Sequence, residues 1–500
     1  MSTPGDPVDR VGQVVDAVLG AAVAAEDSLS RLGVTSLDRL RVCAELERRT
    51  GVTLSLADVM TAPTVTALAE HWRSGGVPLL PHGTGAGIPL TSLARSCLLR
   101  QLVSPADIAG NCILLWTLDG TVDAGLLAEA IMEVQQRHEL LRCAYTLRGG
   151  AVPAGPPVAP ARMVAETTAE ALARCWPLLT VALRPAAGDV FRSVVVSTPT
   201  GAVIGLVAHH VAFDGYSESV VAADLGRAYR ARLDGRQVDW PAAPDARTAN
   251  ESYRRQRAAG DLDRQGARVR AALSGAAELR FPGATGTRTG PEATTTPAVL
   301  TTALAPVPDV CVALTAYARA VGTITGQRDI SFVVPVNRRG AAGLDVVVGN
   351  FVEMLPVRIM LPTGADPAGD VTAATAAWTT ALSRQDLDFE EVVRAAGSAR
   401  HVHHHVFALQ NNPAPRIELP GIQARFVRTP YPALANRTMT EVWPTGSGYS
   451  DTTDIAMLSH GRDWIGAAEA AALLSGFRDN LSRYASRQPA RVDSLPVIGR

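Results

Sequence analysis

The spacing of apolar positions changes several times along this chain, and each change marks an element. Val11, Val14, Val15, Val18, Leu19, Ala22 and Val23 recur at helical spacing, with Asp16 interrupting an otherwise apolar stretch from Val11 to Ala25. That pattern predicts an amphipathic helix with one buried face, and neither a signal peptide nor a membrane span. Leu37, Leu40, Val42, Cys43 and Leu46 fit the buried face of a further helix. Residues 1–74 thus read as a small helical module, and the Gly- and Pro-bearing stretch from Gly75 to Gly87 has linker composition. Past the linker the periods alternate. The short, partly β-branched run from Val203 to Ala208 predicts a buried strand over 203–210, followed by a helix at 217–232, another at 310–321 and a strand at 330–336. Alternation of this kind points to an α/β architecture.

Composition narrows the class without changing that picture. Five hundred residues, 47% hydrophobic and 19% charged, allow two to four globular domains. A formal charge of −1 leaves no electrostatic footprint for nucleic acid. All 47 basic residues are arginine, which excludes Schiff-base and lysine-nucleophile chemistry. The six cysteines, at 43, 97, 112, 143, 175 and 311, show no CxxC spacing and read as small buried hydrophobes in a reducing compartment. With no apolar run long enough to span a bilayer, a cytoplasmic protein is expected.

Candidate chemistry gathers at the end of the predicted strand, in His209-His210-Val211-Ala212-Phe213-Asp214-Gly215. Successive strand side chains face opposite ways, so only one of the two imidazoles can face a given cavity. An imidazole held there can take or position a proton near neutral pH. Asp214 and Gly215 then turn the chain, with glycine free to take positive φ. The segment resembles the HHxxxDG motif of nonribosomal peptide synthetase condensation domains and related acyltransferases. Further ordered segments are similar to the same family: Arg137 to Tyr145; Gly326-Gln327 through Pro335 to Arg339 and on to Val348–Arg358; Arg384 to Glu390; and Leu409-Gln410-Asn411.

The small module carries a second resemblance. Leu32-Gly33-Val34-Thr35-Ser36-Leu37, followed by Gly51 to Leu54 and Ala62 to Ala69, resembles an acyl or peptidyl carrier domain. Ser36 by itself reads as an ordinary helix N-cap. The resemblance makes it the residue that carries 4′-phosphopantetheine, whose phosphodiester a helix N-terminus would favour. Thr35 stands where carrier domains usually have Asp or His.

Together these resemblances imply a small all-α four-helix carrier domain (1–76), a linker (77–87) and a two-lobed α/β condensation domain of the chloramphenicol acetyltransferase type (88–500), with lobes of about 88–250 and 251–500. They imply that His210 acts on the reacting groups, with His209 beside it facing the core. Asp214 is expected to pair with an arginine from the other lobe, Arg339 or its competitor Arg338, and Gly215 to admit backbone amides. Asn350 and Glu353 would line the floor between the lobes, where an ionised Glu353 would attract a cationic acceptor. The family's opening SxAQxRLW is reduced to Ser92–Leu99, and its GFFVN becomes Gly349-Asn350-Phe351-Val352-Glu353.

His401, His403 and His405 would share one strand face, but no carboxylate or cysteine stands at ligand spacing, so no metal is expected. The arginine-rich stretch Tyr253–Arg270 reads as a solvated helix face. The expected function is joining a carrier-bound acyl or aminoacyl thioester to an amine, forming an amide. The alternatives are ester formation with the same histidine and a catalytically silent recruitment platform. Expected partners are a phosphopantetheinyl transferase, a separate adenylation or acyl-loading enzyme, and an acceptor carrier protein or free amine supplied in trans, because no loading domain is legible within the chain.

Overall fold

Two sheets organise the large part of the molecule. The computed structural model describes residues 7–19, 22–27, 62–75, 77–78, 87–147, 150–258, 262–284, 293–300, 310–340, 343–364, 366–384, 386–445, 452–461 and 463–485, with isolated positions between 29 and 53. In the small module, helix Pro7–Leu19 buries Val11, Val14 and Val15 in one cluster with Val65, Leu68 and Ala69 of helix Val65–Gly75. Leu29, Val42 and Leu46 join that cluster. The helix expected through Ala25 ends at Leu19, and residues 22–25 are not helical. Asp16, the break in the apolar run, accepts a hydrogen bond from the Val23 amide at 2.8 Å and so holds the returning chain. Two short strands, β1 (Val52–Thr53) and β2 (Val77–Pro78), pair antiparallel. Ser36, Leu37, Leu40 and Cys43 lie outside the described residues.

The first lobe contains β3 (Asn111–Asp119), β4 (Cys143–Thr146), β5 (Gly150–Pro153), β6 (Ala161–Val164), β7 (Phe191–Thr198) and β8 (Gly201–His209). The second contains β9 (Ala293–Val299), β10 (Asp329–Asn337), β11 (Val352–Met360), β12 (His405–Leu409), β13 (Gln423–Val427), β14 (Thr438–Trp443) and β15 (Ile455–Gly461). A five-stranded sheet runs β13-β3-β8-β7-β6, a six-stranded one β11-β10-β12-β14-β15-β9, and β4 and β5 form a separate pair. Strand β13 therefore leaves the second half of the chain to complete the first lobe's sheet, antiparallel to β3.

Strand β8 explains why its sequence is almost continuously apolar. Ile204, Leu206 and Ala208 enter the cluster that holds Leu127, Ile131, Val220 and Leu225, whereas Val203 and Val207 enter the one that holds Ala171, Cys175 and Leu179. Helices thus cover both faces, so neither set of alternating positions can be polar. The second lobe packs helices Val310–Thr325, Pro367–Leu382 and Ala467–Ala485 on its sheet, with Tyr317, Phe332, Phe407 and Phe477 at the centre.

Two expectations need correction. The stretch Tyr253–Arg270 belongs to two helices, Ala246–Ala258 and Leu262–Leu273, rather than to one; Arg254, Arg264, Arg268 and Arg270 are exposed, as a solvated face requires, but other positions turn inward. Tyr253 packs on Phe351 at 6.1 Å between ring centroids, and Val269 and Leu273 are buried, because apolar positions at helical spacing lie among the arginines. The histidines at 401, 403 and 405 do not share a strand face, since 401 and 403 sit in the 3₁₀ segment Gly397–His404 and only His405 begins a strand. Among the described residues no helix is long and apolar enough to cross a membrane, and no group of His, Cys, Asp or Glu is arranged to hold a metal ion.

Candidate active site between the lobes

Strand β8 ends at His209, and the two histidines receive different surroundings. His209 is 1% exposed. Its Nδ1 accepts the Val211 amide at 3.0 Å, and its Nε2 lies 3.2 Å from Gln101 Oε1. Because Nδ1 accepts, Nε2 carries the hydrogen and donates to Gln101, whose own Nε2 donates to the Pro105 carbonyl at 2.9 Å. Burial, with the neighbouring His210 adding to it, pushes the His209 pKa down to about 3, so the ring stays neutral. Gly110 is required here: a Cβ would stand 2.7 Å from His209 Nε2.

His210 is only half-buried. Its amide donates to the Gly110 carbonyl at 2.7 Å. Asn350, from the loop leading into β11, places its Nδ2 at 2.7 Å from the His210 carbonyl oxygen and 3.2 Å from His210 Nδ1.

Asp214 and Arg339 form a clamp between the lobes, and Arg339, not Arg338, reaches the aspartate. Arg339 Nη2 donates to Asp214 Oδ1 at 2.8 Å and Oδ2 at 3.0 Å. Asp214 also accepts from the Ser217 amide and hydroxyl, both at 2.8 Å, and from the Phe351 amide at 3.0 Å. Arg339 further donates to the carbonyls of Leu344, Val347 and Gly349, while Tyr216 and Phe351 lie against its faces at 4.8 and 4.7 Å. A charge pair buried this deeply is sustained only when its remaining hydrogen-bonding capacity is met, and here nearly all of it is. The clamp fixes the loop 344–351, and with it Asn350, against the start of helix Ser217–Leu233. Arg338 is buried as well, with Nη2 3.7 Å from Asp386.

Two sequence readings change. Gly215 does not adopt positive φ; a Cβ there would meet Asn412 Nδ2 at 3.2 Å, so the residue is small to admit a side chain from the other lobe and relieves no backbone strain. Glu353 is 1% exposed and lies close to Asp388 and Glu391. Burial, reinforced by the Asp388 charge, pushes its pKa well above the usual carboxylate range. The carboxylate is enclosed and is not exposed to an incoming amine. The segment Arg137 to Arg142 is architectural: Arg137 Nε and His138 Nε2 meet Asp224 Oδ2 at 2.8 and 2.9 Å. A cavity of about 520 Å³ adjoins it, lined by Arg137, His138, Arg142, Pro244 and Val347 but not by His210.

A second polar cluster between the lobes was not legible in the sequence. Glu218, in the first turn after the motif, takes both Arg428 amino groups, at 3.1 and 2.7 Å, and the guanidinium lies 4.1 Å over the Trp443 ring. Glu441 on β14 accepts at Oε1 from Gln410 at 2.7 Å and Tyr431 at 3.1 Å. Burial, the largest influence, raises its pKa from 4.5 to about 7 against the lowering pull of Arg428. The sign follows from proton binding: the folded state holds this proton more tightly, so the contribution to stability is full below about pH 4.5 and is lost as pH rises through about 7. Glu441→Gln keeps the accepting oxygen and removes the titration. The variant should gain stability over the parent as pH rises from 5 to 8, by on the order of 3 kcal/mol at the top. Urea unfolding across that range checks it, and a pH-independent difference would contradict it.

Known proteins resemble this chain in sequence and in fold. Residues 9–72 match the family model described as the phosphopantetheine attachment site, and residues 308–423 that of the condensation domain. The isonitrile lipopeptide synthase of Mycobacterium tuberculosis is 29% identical over 483 residues, covering 86% of this chain and 18% of that protein, so the chain spans under a fifth of this curated relative. Among solved structures, the first condensation domain of the calcium-dependent antibiotic synthetase superposes with a TM-score of 0.66 at 19% identity, over 83% of this chain and all of that one. The X-domain from teicoplanin biosynthesis gives 0.69 at 18%, over 83% and 98%. These likenesses establish the two-lobed α/β fold.

Proposed function

We propose that this chain, a carrier domain followed by a condensation domain, transfers an acyl or aminoacyl group from a carrier-bound thioester to an amine and forms an amide, in the cytoplasm. The observation that carries the reading is His210: half-buried at the end of β8, held by a backbone bond to Gly110 and touched from the other lobe by Asn350, with the Asp214–Arg339 clamp intact behind it. The 4′-phosphopantetheine arm that such a carrier bears presents the acyl group as a thioester. Residues of this chain then have two tasks. The lobes hold acyl donor and amine at one place, which in well-oriented systems is worth effective molarities of ~10⁵–10⁸ M. His210 orients the reacting groups and handles hydrogen bonding at the carbonyl or the amine, a smaller factor of ~10²–10⁴.

The donor would be loaded by a separate adenylation or acyl-loading enzyme, and the acceptor would arrive in trans on another carrier or as a free amine. Ser36 is proposed as the attachment residue. Incubation with coenzyme A and a broad-specificity phosphopantetheinyl transferase should add the arm to the parent protein and not to Ser36→Ala, as read by intact mass spectrometry. Once loaded with an acyl group, the protein should transfer it to an amine in preference to the matching alcohol. Equal labelling of the Ser36→Ala variant would remove the assignment of Ser36, and preference for the alcohol would make the product an ester.

A further inference from the structure

Asn350 stands where the resembled family pattern has phenylalanine, and its amide meets His210 twice. One contact decides the orientation of that amide. The atom 2.7 Å from the His210 carbonyl oxygen must be the NH₂ group, because the flipped amide would bring two oxygens together at that distance. The amide oxygen instead faces the Val352 N–H at 3.4 Å. The second hydrogen of the same NH₂ is then available to Nδ1 of the imidazole at 3.2 Å. A ring nitrogen that accepts a hydrogen bond carries its lone pair, so the neutral ring bears its hydrogen on Nε2.

We infer that Asn350 is a positioning residue that holds His210 as an Nε2–H hydrogen-bond donor, so that His210 stabilises the developing negative charge on the acyl carbonyl oxygen instead of removing the amine proton. This rests on the proposed acyl transfer for its chemical meaning, though not for the tautomer itself. The balance is simple: the C–N bond forms, the C–S bond breaks, and the proton lost by the amine nitrogen ends on the departing sulfur, giving amide and thiol. Donors aimed at such an oxygen act where charge appears in the transition state, and removing one from other acyl-transfer sites costs about 10²–10³-fold. The clamp supports the arrangement, because Asp214 accepts the amide of Phe351 and Thr91 donates to the carbonyl of Asn350 at 2.9 Å, holding the residue on both sides.

The test is long-range ¹H–¹⁵N correlation on the full chain labelled at histidine nitrogen, with His210 assigned by difference from His210→Ala. The parent should show His210 as the Nε2–H tautomer. Asn350→Asp removes the NH₂ donor, and its carboxylate, repelled from the His210 carbonyl oxygen, can meet Nδ1 only as an acceptor, so the Nε2–H pattern should be lost, while His209, held by Val211, stays Nε2–H and reports an intact fold. Asn350→Ser, too short to reach the ring, should leave His210 a mixture and serves if the aspartate variant does not fold. Single-turnover amide formation should fall about 10²-fold in Asn350→Asp. Finding the parent's His210 as Nδ1–H, or unchanged in both variants, would overturn the inference. No amide from the parent, with the tautomers as described, would overturn the proposed function and leave the tautomer assignment standing.

Discussion

His210→Ala should lower amide formation by about 10²–10⁴-fold while leaving the unfolding transition nearly where it was. The side chain is half-buried and its ring meets the Asn350 amide by a polar contact, so little packing is lost. His209→Ala should behave in the opposite way. That ring is buried, joined to Val211 and Gln101, and lies against Gly110, so its removal opens a cavity and strands Gln101 Oε1. The expected cost is about 2–5 kcal/mol of stability. Stopped-flow or quenched transfer assays beside urea unfolding separate the two effects. If His209→Ala were stable but inactive and His210→Ala unstable, the roles given to the two rings would be reversed.

Asp214→Ala should be the most destabilising single change in the site. It removes one partner of a buried charge pair and leaves Arg339 without its carboxylate, for which about 3–5 kcal/mol is typical. It also releases the Ser217 hydroxyl and the Phe351 amide, which frees the loop that carries Asn350. Activity should therefore fall even at temperatures where the protein remains folded. Replacing the pair with apolar residues of similar volume, Asp214→Leu with Arg339→Met, should recover part of the stability but not the activity, because Asn350 would no longer be registered against His210. Thermal and urea unfolding of the single and the double variant checks this, and an Asp214→Ala protein as stable as the parent would contradict it.

Much of the frame could be read from the chain because it depends on local pattern. The strand expected at 203–210 is β8, Gly201–His209; the helix expected at 217–232 is Ser217–Leu233; and the strand at 330–336 is β10, Asp329–Asn337. Each is set by its own period of apolar residues, and two helix-covered faces made β8 continuously apolar. What escaped the sequence depends on distant pairing. Asn350 meets His210 across 140 positions, and Arg428 meets Glu218 across 210, so no spacing could announce either contact. Glu353 was placed on the floor between the lobes by the resemblance alone, and its near-complete burial beside Asp388 comes from the packing of later elements, which no local pattern reveals. Gly215 was misjudged because glycine after aspartate reads as a turn conformation, whereas here its missing Cβ makes room for Asn412.

Loss of the acyl group from loaded Ser36 on addition of an amine, followed by intact mass spectrometry and matched to amide in solution, tests the account most directly. The parent protein should discharge in a single exponential phase with one amide formed per acyl group lost. His210→Ala, equally loaded and equally folded, should keep its acyl group over the same time. Discharge at the same rate in both proteins would show that the amine reacts with the thioester unaided, and that the space between the lobes at His210 is not where the bond is made.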